Sequence, residues 1–246
     1  MWLPDAQAVE EIHFSLARLF ESENDPISPV GIKSQQMLES ACERPNTGIG
    51  DHYKYKTLEA KLAALFHSLT KNHPFHNGNK RTALVSVLTA LHRNDRRLKS
   101  EVTDDDIYDF VVAVTADNFP DENHGLDVDG IVEEIAAWLK EQTLSRNTNP
   151  TGMKSRDFIA KCEAAGCLCK EVPKGGSISI SHQGKSIRIS QSTKQLDGPV
   201  VREYLNRLGL SETASGFSIE EFQEGAIGER EQIHRFMSAL KRLAKT

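Results

Sequence analysis

No stretch of the 246-residue chain approaches the roughly 18–20 consecutive apolar residues of a membrane-spanning helix. Its first residues, MWLPDAQAVEEIHF, lack the basic-then-apolar order of a secretory leader, so the sequence reads as cytoplasmic. Cysteine is scarce: Cys42, Cys162, Cys167 and Cys169 read as reduced thiols rather than a disulfide framework. Cys167-Leu-Cys169 has no second pair nearby, and a zinc site needs four ligands. No internal repeat or low-complexity tract interrupts the chain. What remains is 38% hydrophobic and 26% charged, a balance that can bury a core and excludes wholesale disorder. The length fits one large domain or two modest ones.

The formal net charge of −5 hides an asymmetry. Residues 1–150 carry 15 Lys and Arg against 24 Asp and Glu, whereas residues 151–246 carry 15 against 11. That split predicts two units with different partners, the second with a basic contact surface.

Residues 1–144 pattern as helices. Val9, Ile12, Phe14, Leu16, Leu19 and Phe20 form an apolar stripe, broken by Asn24-Asp25-Pro26. Ser34 to Ala41 suggests a short helix, followed by the loop RPNTGIGD. Thr57 can cap the next helix, with Leu58, Leu62, Leu65, Phe66 and Leu69 on one face. The segment from Asn79 to Asn94 is apolar nearly all round, the mark of a central helix. Thr103 with Asp105 and Asp106 opens another, and a helix over residues 130–142 completes the set. Ser145–Gly152 contains only polar and turn-forming residues and reads as a linker.

Beyond the linker, residues 153–211 read as a small α+β domain. A helix over Ser155–Ala165 ends at Gly166. Ser177–His182 and Lys185–Ser190 alternate polar and apolar residues around Gln183-Gly184, a hairpin pattern. A helix from Pro199 closes at Gly209. Residues 212–246 are expected to be a helical tail.

Residues 73–81 read His-Pro-Phe-His-Asn-Gly-Asn-Lys-Arg. A helix starting just after the glycine turns its unpaired N–H groups and positive dipole end toward the loop. Gly78 permits close backbone approach; Asn79, Lys80 and Arg81 add donors and charge. This is a nest for a polyphosphate. His73, across the loop, can accept a proton near neutral pH. A base beside a phosphate cradle points to transfer of a phosphate-containing group onto a hydroxyl.

These nine residues resemble the Fic/Doc (Fido) signature, His-Pro-Phe-x-Asp/Glu-Gly-Asn-Gly/Lys-Arg. GIKSQQMLESACERP, LAALFHSLTKN and TALVSVLTALHRND resemble its Doc branch, over about residues 26–140. The resemblance implies a mainly α protein: an all-α Fido helical bundle followed by the small α+β domain. It implies that His73 deprotonates the target hydroxyl and Phe75 anchors the loop. Gly78, Asn79, Lys80 and Arg81 would bind nucleotide phosphates, with ATP and Mg2+ as cofactors. Asn77 stands where an acidic Mg2+ ligand is usual; an amide oxygen brings no charge. Lys80, where AMP-transferring members usually have glycine, and Leu84 in place of a second arginine are Doc-like marks. The implied activity is phosphorylation of a protein hydroxyl by a bacterial toxin, with elongation factor Tu the kind of target and an antitoxin in trans. AMP transfer by the same residues and an impaired Fido protein acting as a nucleotide-, RNA- or partner-binding regulator remain alternatives.

Several residues read plainly. His76 is expected to be a solvated loop residue, His52, His67 and His92 structural or exposed, and Asp104–Asp106 a solvated helix start. The loop Asn46–Tyr55 matches the family's target-docking flap, or is an ordinary surface loop. The family's inhibitory Ser/Thr-x-x-x-Glu-Gly/Asn motif is not found.

Residues 153–211 resemble, more distantly, the HicA-type domain, similar to double-stranded-RNA-binding domains. Its Lys-Gly-Ser-His segment corresponds to Lys174-Gly175-Gly176-Ser177-Ile178, without the histidine, so RNA cleavage is not expected. Ten Lys and Arg against five Asp and Glu over residues 153–210 instead suggest RNA contact or protein docking, with Lys174, Lys185 and Arg188 the candidate RNA contacts.

Overall fold

A computed structural model describes residues 1–50, 52–120, 125–145, 150–173, 175–210, 222–223 and 235–245. Residues 146–149 of the expected linker, Lys174 and most of the expected tail lie outside the described residues. The described protein is mainly α, as the resemblance implies. It divides into two compact units, and residues 235–245 cluster with residues 1–145 while residues 222–223 cluster with the second unit.

In the first unit, helix α1 (Ala6–Leu19) begins where the Asp5 carboxylate accepts the Ala8 N–H. Its buried stripe is Val9, His13, Leu16 and Phe20, while Phe14 and Leu19 are exposed. Val9, Leu16 and Phe20 of the expected stripe are thus buried and Ile12 packs against the core, while the buried row also takes in the polar His13 that apolar spacing passes over. Helix α2 (Gln35–Glu43) is capped by Ser34 and runs into a 3-10 turn at Arg44–Asn46. Strands β1 (Gly48–Ile49) and β2 (His52–Tyr53) form a short hairpin within the expected loop.

Helices α3 (Leu58–Asn72) and α4 (Asn79–Arg93) form the centre. Thr57 caps α3 by accepting the Ala60 N–H. Every residue of α3 from Lys61 to Thr70 is buried, as is every residue of α4 from Arg81 to Leu91. Alpha-3 is thus enclosed all round rather than on one face. Its polar groups are paired internally: Lys61 Nζ donates to the Pro45 carbonyl at 2.7 Å and Thr70 Oγ1 to the Phe66 carbonyl at 3.0 Å.

Strand β3 (Arg96–Leu98) pairs antiparallel with β4 (Thr143–Ser145), a contact between residues far apart in sequence. Between them lie α5 (Asp104–Thr115), opened by a Thr103–Asp106 capping box, and α6 (Val128–Gln142). Phe110 and Trp138 stack with centroids 3.9 Å apart, joining the two helices.

The second unit has its own core. Strands β5 (Met153–Lys154) and β9 (Gln195–Leu196) pair, and β6 (Leu168–Glu171), β7 (Ser177–His182) and β8 (Lys185–Ser190) form an antiparallel sheet in that order. The β7–β8 turn uses Gln183 (φ 46°) and Gly184 (φ 80°), the left-handed pair that a tight hairpin needs. Helices α7 (Ser155–Ala164) and α8 (Gly198–Leu208) contribute Phe158, Cys162, Val201 and Leu205 to a core with Ile180, Ile187 and Ile189. All four cysteines are free, and burial pushes the Cys42 thiol up to about 12.

Helix α9 (Met237–Arg242) brings Phe236, Leu240 and Leu243 into the core of the first unit. The Arg235 guanidinium donates to the carbonyls of Ser100 and Val102 at 2.6 and 2.7 Å, and Ala239 N–H to the Asp104 carboxylate at 2.8 Å. Leu240 is fully buried. Leu240→Ala is expected to destabilise the first unit by about 2–5 kcal/mol, read as a lowered denaturant midpoint with the intact chain. A tail that merely rests on the surface would leave that midpoint unchanged.

Candidate functional site

The motif lies where α3 hands over to α4. His73 ends α3 in the left-handed conformation (φ 46°, ψ 57°), which costs a residue with a β-carbon roughly 1–2 kcal/mol. The turn leaves His73 exposed while Pro74 and Phe75 are buried. Among the described residues nothing hydrogen-bonds the His73 imidazole.

Phe75 is 1% exposed and stacks on His13, ring centroids 4.0 Å apart and 11° from parallel. His13 is fully buried. The Gly31 N–H donates to its Nε2 at 3.2 Å, so Nδ1 carries the proton and donates to Thr82 Oγ1 at 3.1 Å. This residue joins α1, the motif loop, α4 and the loop around Gly31. Sequence reasoning passed over it. The signal was its place in the row 9, 13, 16, 20 of α1.

Gly78 caps α4 with φ +76° and no side-chain cap, so the first-turn N–H groups of α4 are left for another acceptor. The positive φ at Gly78 favours glycine, and a β-carbon there would meet Ile27 Cδ1 at 3.0 Å, a tight contact to which that side chain must yield. Asn79 does not reach outward. Its amide closes the loop, Oδ1 accepting the Phe75 N–H at 2.9 Å and Nδ2 donating to the Phe75 carbonyl at 3.0 Å. Each end of the amide thus makes one bond within the loop, leaving a second N–H and a second lone pair. Lys80 is half-buried, and burial lowers its pKa.

Arg81 is 1% exposed. Its guanidinium lies 5.0 Å from the Phe20 ring centroid and donates to the Asp25 carbonyl at 3.1 Å, while among the described residues Nε has no partner. Burial lowers its pKa; the Asp25 charge opposes that shift. Arg81 is thus an enclosed cation whose Nε–H is unsatisfied among the described residues. Beside its cradle, a cleft of about 150 Å3 is lined by Phe20, Asn24, Asp25 and three cations of the C-terminal segment.

Asn77 is half-buried. Its Oδ1 accepts the Gly78 N–H at 2.6 Å and its Nδ2 donates to the Ser28 carbonyl at 2.8 Å. The described residues contain no group of three His, Cys, Asp or Glu side chains able to hold a metal. One neutral, doubly engaged amide does not fit a protein-held Mg2+, which is normally bound through carboxylates and phosphates. A nucleotide phosphate does fit: uncapped N–H groups, a glycine, Lys80 and the orphaned Arg81 Nε all favour an anion.

Of the other histidines, His52 and His76 are exposed, His92 is half-buried, and His67 is buried with Nδ1 3.4 Å from Arg44 Nη1. In the second unit, Lys185 and Arg188 are exposed on β8. His182 Nδ1 lies 3.1 Å from the Leu208 carbonyl, engaged as a structural donor. A cavity of about 580 Å3 at the start of α7 is rimmed by Lys154, Arg156 and Lys194, with Ile159 and Ile178 in its wall.

The Fic/DOC family model matches residues 3–91, which include this entire loop. Over 107 residues the chain is 31% identical to "Toxin Doc" of Mycolicibacterium smegmatis, a stretch covering 44% of this chain and 77% of that protein. The chain belongs to the Fic/DOC family. No solved structure gives a significant match. Among the described residues no helix is long and apolar enough to cross a membrane.

The two buried histidines make stability pH-dependent. His13 is pushed down to about 4 by burial and then by the Arg81 charge; His67 is pushed down to about 4 by burial and then by Arg44. Both are neutral when folded and take a proton near 6.5 when unfolded, so stability falls as pH drops from about 6.5 to about 4. For fully buried His13 the loss is roughly 3 kcal/mol. Urea unfolding between pH 7 and pH 4.5 should show the fall, and His67→Gln should make it shallower.

Proposed function

We propose that this protein is a Doc-like toxin that phosphorylates a protein hydroxyl with ATP. The observation that carries the reading is the loop's division of labour. It exposes one histidine at the end of α3 and presents uncapped N–H groups with Lys80 at the start of α4. His73 accepts the proton of a serine or threonine hydroxyl, whose oxygen attacks the γ-phosphorus. The bond to the β–γ bridging oxygen breaks, and ADP leaves with the electron pair. The α4 N-terminus, Lys80 and Arg81 bind and neutralise the phosphate oxygens.

Members of this family are nucleotide-binding and typically use a divalent metal. Such an ion supplies charge neutralisation on the phosphates; here the chain's own cations and N–H groups perform the binding. The exposed β1–β2 hairpin, with Ile49 88% exposed and Tyr53 48%, offers strand edges on which a protein substrate could dock. Elongation factor Tu is the proposed kind of target, and an antitoxin acting in trans the proposed restraint. AMP transfer is the neighbouring reading. It uses the same residues, attacks the α-phosphorus and releases diphosphate.

Incubation with γ- or α-labelled ATP and purified elongation factor Tu separates these reactions. Label from γ-ATP is expected on the target, and His73→Ala should reduce it at least a hundredfold. Label from α-ATP instead establishes AMP transfer. No label from either, with His73→Ala indistinguishable from wild type, leaves a nucleotide- or partner-binding regulator.

A second reading concerns RNA contact by the second unit, favoured by the cationic rim of Lys154, Arg156 and Lys194 together with exposed Lys185 and Arg188. Binding to duplex RNA should weaken steeply with salt, and Lys185→Ala with Arg188→Ala should flatten that slope by about one per lost contact. No binding at low salt rules it out.

A further inference from the structure

Asparagine and aspartate have nearly the same shape, but only the amide can donate a hydrogen bond. At Asn77 both ends are in use and the chemistry fixes the orientation. The Ser28 carbonyl can only accept, so it faces Nδ2 at 2.8 Å; the Gly78 N–H can only donate, so it faces Oδ1 at 2.6 Å. A carboxylate could keep the second bond. It could not make the first, and would set negative charge against a carbonyl oxygen.

The Ser28 bond belongs to a larger arrangement. Residues 27–34 run across the motif loop as a strap. The Lys33 and Ser34 N–H groups donate to the Pro74 carbonyl at 2.7 and 3.0 Å, and Ile32 forms a β-bridge with Phe75. The His76 N–H donates to the Gly31 carbonyl at 3.1 Å. Residues 74–76 are therefore bolted to the strap through backbone groups that any sequence could supply. Next along the loop, at the phosphate end, the bolt is a side chain. Ile27 sits against Gly78 just beyond it, 3.0 Å from where a β-carbon would stand.

We propose that Asn77 is a positioning residue, a latch whose amide fastens the strap to the phosphate end of the loop rather than a weakened metal ligand. The latch holds Gly78 and the first turn of α4 in the conformation that receives phosphate, with or without a divalent ion. This rests on the proposed nucleotide site, and its test keeps the two separable.

Hydrogen exchange on the full chain reads the latch directly. In Asn77→Ala the His76 and Gly78 amides, and in Asn77→Asp, which still accepts from Gly78, the His76 amide, should exchange at least tenfold faster than in wild type, while amides in the middle of α3 are unchanged. Calorimetric titration with ATP, in EDTA and again in Mg2+, reads the consequence. Asn77→Ala should lower affinity about tenfold by the same factor in both buffers. Asn77→Asp should not recover it in Mg2+. Unchanged exchange in both variants overturns the proposal. So does an Asn77→Ala loss confined to the Mg2+ buffer, or an Asn77→Asp gain there, since either identifies a metal ligand. If wild type binds no ATP in either buffer, the nucleotide site and the latch's role in serving it both fall. The exchange rates then decide the fastening alone.

Discussion

Between the last turn of α3 and the first turn of α4 the backbone belongs to neither helix, so its polar groups must find partners outside any regular ladder. The rest of the first unit is arranged around that requirement. Phe75 receives a bidentate amide from Asn79, Pro74 and His76 bond to the strap, and Gly78 is answered by Asn77. Burial of the Phe75 ring supplies the driving force, but hydrogen bonds set the loop's shape. A loop held at so many points carries His73 at a fixed exit from α3 despite its left-handed backbone. Preorganisation of this kind suits the role proposed for His73, because little conformational entropy would remain to be lost on binding.

His13 makes the arrangement cooperative. It is neutral, buried and bonded at both ring nitrogens, and its face covers Phe75. Helix α1 is therefore more than packing: through one imidazole it touches the motif loop, the strap and α4. Arg81 explains part of the neutrality, since its charge adds to the burial that disfavours a second cation on His13. The enclosed cation and the neutral histidine are complementary choices. A second buried charge beside Arg81 would add repulsion to its desolvation cost.

Much of this was legible in the residues, for physical reasons that can be named. Caps at Thr57 and Thr103, the Gln183-Gly184 turn and the closing Gly209 are local chemistry, and local chemistry reads locally. The nine-residue motif was legible because its residue types are jointly uncommon. Three things were not. His13 hid inside the α1 stripe because a polar side chain lowers the apolar signal at the very position that is buried. The fates of Asn79 and Arg81 depended on partners near in space but distant in type, Phe75 backbone for one and the Phe20–Asp25 segment for the other. The full enclosure of α3 required knowing how many neighbours it has, which no single helix pattern encodes.

The charge asymmetry also changes meaning. The basic excess after residue 150 suggested a basic second unit, yet part of it returns to the first. Lys241 pairs with Glu23 at 2.9 Å, Lys245 lies 3.8 Å from Asp25, and Arg242 meets Asp105. These ion pairs are solvent-facing and individually weak. Their placement is still informative, because the apolar seam of Phe236, Leu240 and Leu243 beneath them does the holding. The chain leaves the first unit at Thr143–Ser145, paired with Arg96–Leu98. It returns with Arg235 on the carbonyls of Ser100 and Val102. Exit and return meet the same short segment, which is the geometry of an inserted domain rather than an appended one. The returning helix then ends against the Glu23–Asp25 loop, whose carbonyl holds Arg81. The compact first unit therefore includes residues from beyond the second, and they stand against the loop that holds its buried arginine.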